Sequence, residues 1–258
     1  MHLKFGAGTD PGRVRTNNED RYVADADLRF FAVIDGMGGH AGGEMASATI
    51  AEAATSFIRE TTVDSDKTWP ATLDPRLSDL ANRLQVAVHS ANKTLASRVK
   101  ENAALEGGGA TLAAALFGDG VLAVCNVGDC RAYLLRGGRL SQMTRDHSVV
   151  AEQLEQGIID AEAARTHPLR HVVTRAVSGQ PDMAVDVHEM EPSAGDRLVL
   201  CSDGVHGVLT DAELATLVSA PGQSLDEICR AILDTTNARG GPDNATAVIV
   251  EMVPSDAE

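Results

Sequence analysis

Carboxylates at the ends of apolar stretches are the residues of this chain best placed to do chemistry. Ala32-Val33-Ile34 runs into Asp35-Gly36, Val124-Cys125-Asn126-Val127-Gly128 into Asp129, and Leu198-Val199-Leu200-Cys201-Ser202 into Asp203-Gly204. Asp243-Asn244 precedes Ala245-Thr246-Ala247-Val248-Ile249-Val250, and Glu19-Asp20 opens a further stretch, Arg21-Tyr22-Val23-Ala24. Asp is a good turn residue because its side chain bonds nearby backbone amides, so any one of these positions has a purely structural explanation. Together, each set against a buried strand, they point to carboxylates gathered at one rim. Like charges held in a dry place repel, so such a rim needs cations. Oxygen-only donors suit Mg2+, Mn2+ or Ca2+. No His or Cys pair has zinc-ligand spacing and no acidic cluster matches an EF-hand loop, which leaves Mg2+ or Mn2+. A carboxylate-bridged pair of these ions, ~3.5–4 Å apart, orients and deprotonates a water for in-line attack on phosphorus.

A phosphate site also needs a positive clamp. Arg15 lies in Arg13-Val14-Arg15-Thr16-Asn17-Asn18-Glu19-Asp20, close enough in sequence to reach the rim that Glu19 and Asp20 share. A guanidinium fork matches phosphate oxygens bidentately, as a lysine ammonium cannot. The glycine-rich stretch Gly36-Met37-Gly38-Gly39-His40-Ala41-Gly42-Gly43 invites a nucleotide-binding reading, but its order fails. Ala41 stands where the third glycine of a dinucleotide fingerprint belongs, and no Lys-Ser/Thr pair completes a P-loop. Gly36 is better read as letting a backbone carbonyl approach a metal.

The elements that must position these groups follow from periodicity. Strands are expected over 21–24, 30–34, 111–117, 121–127, 131–136, 139–143, 183–188, 197–201 and 245–252, with hairpin turns at Gly118-Asp119-Gly120 and Gly137-Gly138. Helices are expected over 44–59, 77–99, 211–219 and 225–238, with a polar loop at 61–72 and short helical pieces between 147 and 170. Strands joined by hairpins, with two long helices arriving consecutively, do not make the β-α-β alternation of a parallel sheet. Antiparallel sheets packed together, helices outside, fit better, and the 258 residues are expected to form one domain.

Composition narrows the partners. Hydrophobic residues make up 43% and charged residues 23%, an ordinary globular balance that excludes a disordered or fibrous chain. The net charge of −15 leaves no basic face for a nucleic acid or an anionic membrane. No apolar run approaches a membrane span, and the opening MHLKFGAGTDPGR lacks a signal-peptide core, so a cytoplasmic protein is expected. Cys125, Cys130, Cys201 and Cys229 show no paired spacing and read as buried, reduced thiols.

Taken in order, the motifs resemble those of the bacterial protein phosphatases of type 2C, the metal-dependent serine/threonine phosphatases. They are Thr9-Asp10-Pro11-Gly12-Arg13-Val14-Arg15, Asn18-Glu19-Asp20, Asp35-Gly36-Met37-Gly38-Gly39-His40, Gly109-Ala110-Thr111-Leu112, Val127-Gly128-Asp129-Cys130-Arg131, Asp146-His147-Ser148, Cys201-Ser202-Asp203-Gly204 and Gly241-Pro242-Asp243-Asn244. The resemblance spans residues 5–252. It implies an α+β fold, a four-layer α-β-β-α sandwich of two antiparallel sheets, with metals in a cleft at their edge. Carried across, Asp35 would bridge two Mn2+ or Mg2+ ions, and Asp203 and Asp243 would complete the first ion's protein ligands. The Gly36 carbonyl would hold the second, with Glu19 and Asp20 bound directly or through water. Asp129 and Asp203 match the residues that hold a third metal in bacterial members. Arg15 would hold the substrate phosphate.

His40 matches a position proposed as the general acid that protonates the leaving alkoxide, a role imidazolium can fill near neutral pH. Capping the helix is its alternative role. His147 and His167 bracket a flap over the cleft, residues 147–182, and are read as supporting the flap or contacting substrate. Two departures from the family pattern stand out: Gly108-Gly109-Ala110-Thr111 replaces Met-Gly-Thr-Thr, which changes a supporting strand and no ligand, and Cys130 replaces a serine, which places a thiol beside Asp129. The implied partners are phosphoserine and phosphothreonine proteins and a cognate serine/threonine kinase, with the chain acting as a monomer. A metal-stabilised binding module and a phosphatase devoted to one anti-sigma antagonist are the rival readings.

Overall fold

The computed structural model describes residues 1–38, 41–63, 69, 73–102, 105–118 and 120–254. The chain runs β1 (His2–Asp10), β2 (Asp20–Asp25), β3 (Phe30–Met37), α1 (Ala41–Val63), α2 (Asp79–Glu101), β4 (Gly109–Phe117), β5 (Leu122–Val127), β6 (Arg131–Arg136) and β7 (Arg139–Gln142). It continues through α3 (Val149–Glu155), α4 (Ala161–Thr166), β8 (Asp186–Met190), β9 (Arg197–Cys201), α5 (Asp203–His206), α6 (Asp211–Val218), α7 (Leu225–Ala238) and β10 (Ala245–Val253). Two five-stranded sheets result, in the orders β1-β10-β9-β6-β7 and β2-β3-β4-β5-β8, and neighbouring strands pair antiparallel.

Strand alternation sets the layers. Along β3, Phe30, Ala32 and Ile34 join α1 and α2 in one core, while Phe31 and Val33 join the core between the sheets. Successive strand side chains take opposite faces, so Asp35 inherits the inter-sheet direction of Val33. Along β9, Leu198 and Leu200 face the other sheet, and Val199 and Cys201 face α6 and α7 in a third core. The four layers expected from the resemblance are present, helices on each outer face of a sheet pair. The helix starts are locally encoded: Ser78 caps α2 by accepting from Ala81 N, and capping boxes of Thr210 with Glu213 and Ser224 with Glu227 open α6 and α7.

The structure departs from the sequence expectation in three places. β1 has no counterpart in it, because Gly6 and Gly8 dilute the strand pattern; the strand exists by pairing with β10 along its whole length. The strand expected over 183–188 is displaced to β8, and the single turn α5 follows directly on β9. The four cysteines are free and buried, as expected.

Candidate metal centre

Register brings the first two carboxylates face to face. Asp20 on β2 pairs with Asp35 on β3, and Asp35 in turn pairs with Thr111 on β4. Carboxylates directly opposite across a strand pair destabilise a sheet unless something positive joins them. Asp20 is completely buried and spends Oδ2 on the opposite sheet: Ser202 Oγ donates to it at 2.8 Å and Thr246 Oγ1 at 2.7 Å. Its Oδ1 is buried with no hydrogen-bond partner. Asp20 therefore ties the two sheets together through Oδ2 and keeps one carboxylate oxygen without a hydrogen-bond partner.

Asp203 opens α5 just past β9, and its backbone carbonyl is held by Gly207 N at 2.7 Å. Asp129 follows β5, 7% exposed, and its carbonyl faces His206 Nε2 at 2.9 Å. Asp243 stands on the loop before β10 and accepts from the Arg15 guanidinium at 2.8 Å. Asn244 locks that loop to the first one. Its Nδ2 donates to Pro11 O at 3.0 Å and Asn17 O at 2.8 Å, and its Oδ1 accepts from Glu19 N at 2.8 Å. The glycines make room: a Cβ on Gly43 would stand 1.9 Å from Glu19 Oε2, and one on Gly36 would meet Gly43 O at 2.3 Å.

The charges report on one another. Asp35 is driven well above the usual carboxylate range, first by burial and then by Asp20, Asp203, Asp129 and Asp243. Burial, with Asp203 and Asp146 adding, pushes Asp129 up to about 7, and burial raises Asp20 to about 6 despite its two hydroxyl donors. Burial works to raise Asp203, but His171, 3.6 Å from its Oδ2, outweighs it and brings the carboxylate below its ordinary value. An all-oxygen donor set, mutual repulsion and an orphaned buried oxygen fit hard divalent cations. Among the described residues no three His, Cys, Asp or Glu side chains stand close enough together to hold a metal ion by themselves.

Of the other expected residues, Arg15 is more than half exposed beside Asp243, open towards solvent. His40 lies outside the described residues. His147 is 3% exposed, and its ring nitrogens face Gly128 N at 3.0 Å and Asp186 Oδ2 at 3.1 Å. His167 is half-buried, accepts from Leu169 N at 3.1 Å and ends α4, while His171, four residues on, reaches Asp203 Oδ2 at 3.6 Å. His171, Asn244, Ser202, Thr246 and His206 had no assigned role in the sequence. Asn244 and Ser202 carried a signal, their places beside Asp243 and Asp203.

A model of the protein phosphatase 2C family matches residues 7–248. The chain belongs to the protein phosphatase 2C family. It is 36% identical over 261 residues to the serine/threonine protein phosphatase PstP of Mycobacterium tuberculosis, covering 98% of this chain and 46% of PstP, so it spans about half that relative's length. With the serine/threonine phosphatase stp of Listeria innocua it shares 32% identity over 258 residues, 97% of this chain and 96% of the relative. The crystal structure of the PstP catalytic domain in complex with two manganese ions superposes with a TM-score of 0.83, at 34% identity, over 98% of this chain and 99% of that one.

Proposed function

We propose that this family member is a divalent-metal-dependent protein phosphatase that hydrolyses phosphoserine and phosphothreonine in proteins. The observation that carries the reading is Asp35 aimed between the sheets, opposite Asp20 and under the repulsion of Asp129, Asp203 and Asp243. Asp35, Asp203 and Asp243 would hold one Mn2+ or Mg2+. Asp35 and the Gly36 carbonyl, with Glu19 and Asp20 directly or through water, would hold a second, and Asp129 with Asp203 a third. When bound, such ions supply a water of lowered pKa and a positive field at the developing charge of a phosphoryl transfer.

The chain's own residues do the rest. Arg15 binds and orients the phosphate with its guanidinium fork while Asp243 fixes the fork's other edge. Asn244 holds the Arg15 loop and the Glu19 backbone to the Asp243 loop, so clamp and carboxylates share one frame. His40 is assigned the proton for the departing serine or threonine oxygen. We further propose that it opposes a serine/threonine kinase, acts as a monomer, and works in the cytoplasm, whose reducing conditions suit its four free thiols. Among the described residues no helix is long and apolar enough to cross a membrane.

Hydrolysis of a phosphothreonine peptide tests the reading, in EDTA and with Mg2+ or Mn2+ restored, for the native chain and Asp203→Ala. Metal-restored turnover that Asp203→Ala loses by two or more orders of magnitude is expected, on the ~10²–10³ scale of removing one electrostatic stabiliser. A folded native chain with no turnover in either metal overturns it.

A further inference from the structure

The two ends of the flap meet at a single side chain. His147 enters the flap and grips Gly128, the residue before Asp129, at both of its backbone groups. Its Nδ1 accepts from Gly128 N at 3.0 Å, and its own backbone N–H donates to Gly128 O at 2.9 Å. An imidazole that accepts at Nδ1 carries its proton on Nε2 when neutral. Nε2 lies 3.1 Å from Asp186 Oδ2 on β8 and 3.2 Å from Arg175 Nη1; the guanidinium has no acceptor, so an Nε2–H goes to the carboxylate, to whose Oδ1 Arg175 donates at 2.8 Å. Arg175 belongs to the returning leg of the flap, which is stitched to the outgoing leg by Thr174 N to His147 O, 2.8 Å, and Val149 N to Val172 O, 3.0 Å. The same returning leg is bridged to β4 through Val177 and Ala110.

We propose that His147 and Asp186 are positioning residues that set the Gly128–Asp129 turn, and with it the Asp129 carboxylate, from the base of the flap. The inference rests on the reading of Asp129 as a metal-holding residue. Asp186 selects the Nε2–H tautomer, the tautomer leaves Nδ1 free to accept, and the Gly128 amide then has one orientation. This is the arrangement by which a carboxylate orients a histidine that orients something else. On its other side the turn is met at the Asp129 backbone carbonyl, 2.9 Å from His206 Nε2. Loss of the ring removes the acceptor of the Gly128 N–H and leaves the backbone bond from His147 N to Gly128 O in place.

The test separates hydrogen-bond geometry from bulk. Asn places an oxygen acceptor about where Nδ1 sits, and Gln places its polar group about where Nε2 sits. His147→Ala and His147→Gln should weaken the weakest Mn2+ site, measured by calorimetric titration and Mn2+ electron paramagnetic resonance, by about 10–100-fold, the usual scale for such supporting contacts. His147→Asn should recover most of that affinity, and Asp186→Asn should fall between. In kinetics the loss should appear in kcat and in the Mn2+ concentration for half activity, with KM for peptide nearly unchanged. Equal affinities for the Asn and Gln variants, or a native isotherm for both, would overturn the proposal. If His147→Ala does not fold, the Asn and Gln pair still decides. In the metal-free native chain, nitrogen NMR of the His147 ring should show a protonated Nε2 and a hydrogen-bonded, unprotonated Nδ1. The opposite tautomer also overturns the proposal, and this readout stands even if the chain proves not to be a phosphatase.

Discussion

Asp35 is costly to the folded chain in the absence of metal, and the cost has a sign that pH reveals. A carboxyl whose folded pKa is raised holds its proton more tightly folded than unfolded. Its stabilising share is complete below its ordinary value near 3.8 and is lost as pH rises through the folded value, about 6 for Asp20 and about 7 for Asp129. Asp35, raised by burial and by the same neighbours, follows the same direction. His147 and His206 work the other way: burial holds both below 6.5, His206 near 4, so they take stability away as pH falls. A comparison at each pH isolates the carboxylate. In EDTA, Asp35→Asn should be at least as stable as the native chain near about pH 5, and its advantage should widen towards about pH 8. With Mn2+ present its phosphatase activity should be at background. Urea melts in EDTA across that range check it; an advantage that narrows with rising pH would mean Asp35 is not repelled. The residue scale is also where the sequence spoke most clearly. Asp35 was legible because an apolar run ending in Asp-Gly places it at a strand end, and strict alternation of Phe31 and Val33 fixes its direction. The hydroxyls of Ser202 and Thr246 were not, since nothing local says that two separate strands will deliver donors to one buried carboxylate.

At the scale of elements, legibility followed how much of an element's cause lies within it. Long amphipathic helices with capping residues, such as α2 and α7, carry their own instructions. β1 does not. Its sequence, His2-Leu3-Lys4-Phe5-Gly6-Ala7-Gly8-Thr9-Asp10, lacks β-branched residues until Thr9, and its two glycines read as breaks. The structure turns those glycines into a docking surface: α7 lies so close that a Cβ on Gly6 would stand 2.3 Å from the Leu225 carbonyl carbon, and one on Gly8 2.9 Å from Leu233 Cδ1. The strand's side-chain deficit is thus a packing device seen from the helix. Gly6→Ala should push α7 off β1 and cost about 1–3 kcal/mol, as overpacking does. Chemical denaturation measures it; an unchanged midpoint would show that the helix has room to shift. Gly8→Ala, which meets only the flexible end of a leucine, should cost less.

At the scale of the whole molecule, the carboxylates sit where the two sheets face each other, and they are drawn from both. Glu19, Asp20 and Asp35 lie on or beside β2 and β3 of one sheet, while Asp203 and Asp243 flank β9 and β10 of the other. Without metal the sheets are held at this edge by Asp20 with Ser202 and Thr246 and by the Asn244 clip, against the repulsion of the carboxylates. A cation held by both sets would join the sheets, so binding and folding should be linked by mass action. At free Mn2+ about a hundredfold above its dissociation constant one site adds ~2.7 kcal/mol, which for a chain of this size raises Tm by roughly 5–10 °C. Asp203→Ala should lose most of that rise. Gly6→Ala should keep it in full from a lower starting Tm, because β1 and α7 meet on the outer face of the sheet, away from the carboxylates. Scanning calorimetry with and without Mn2+ on the three proteins checks the linkage. A rise that survives in Asp203→Ala would place the bound metal elsewhere, and a rise lost in Gly6→Ala would mean that the outer layer, and not the facing edges, governs the site.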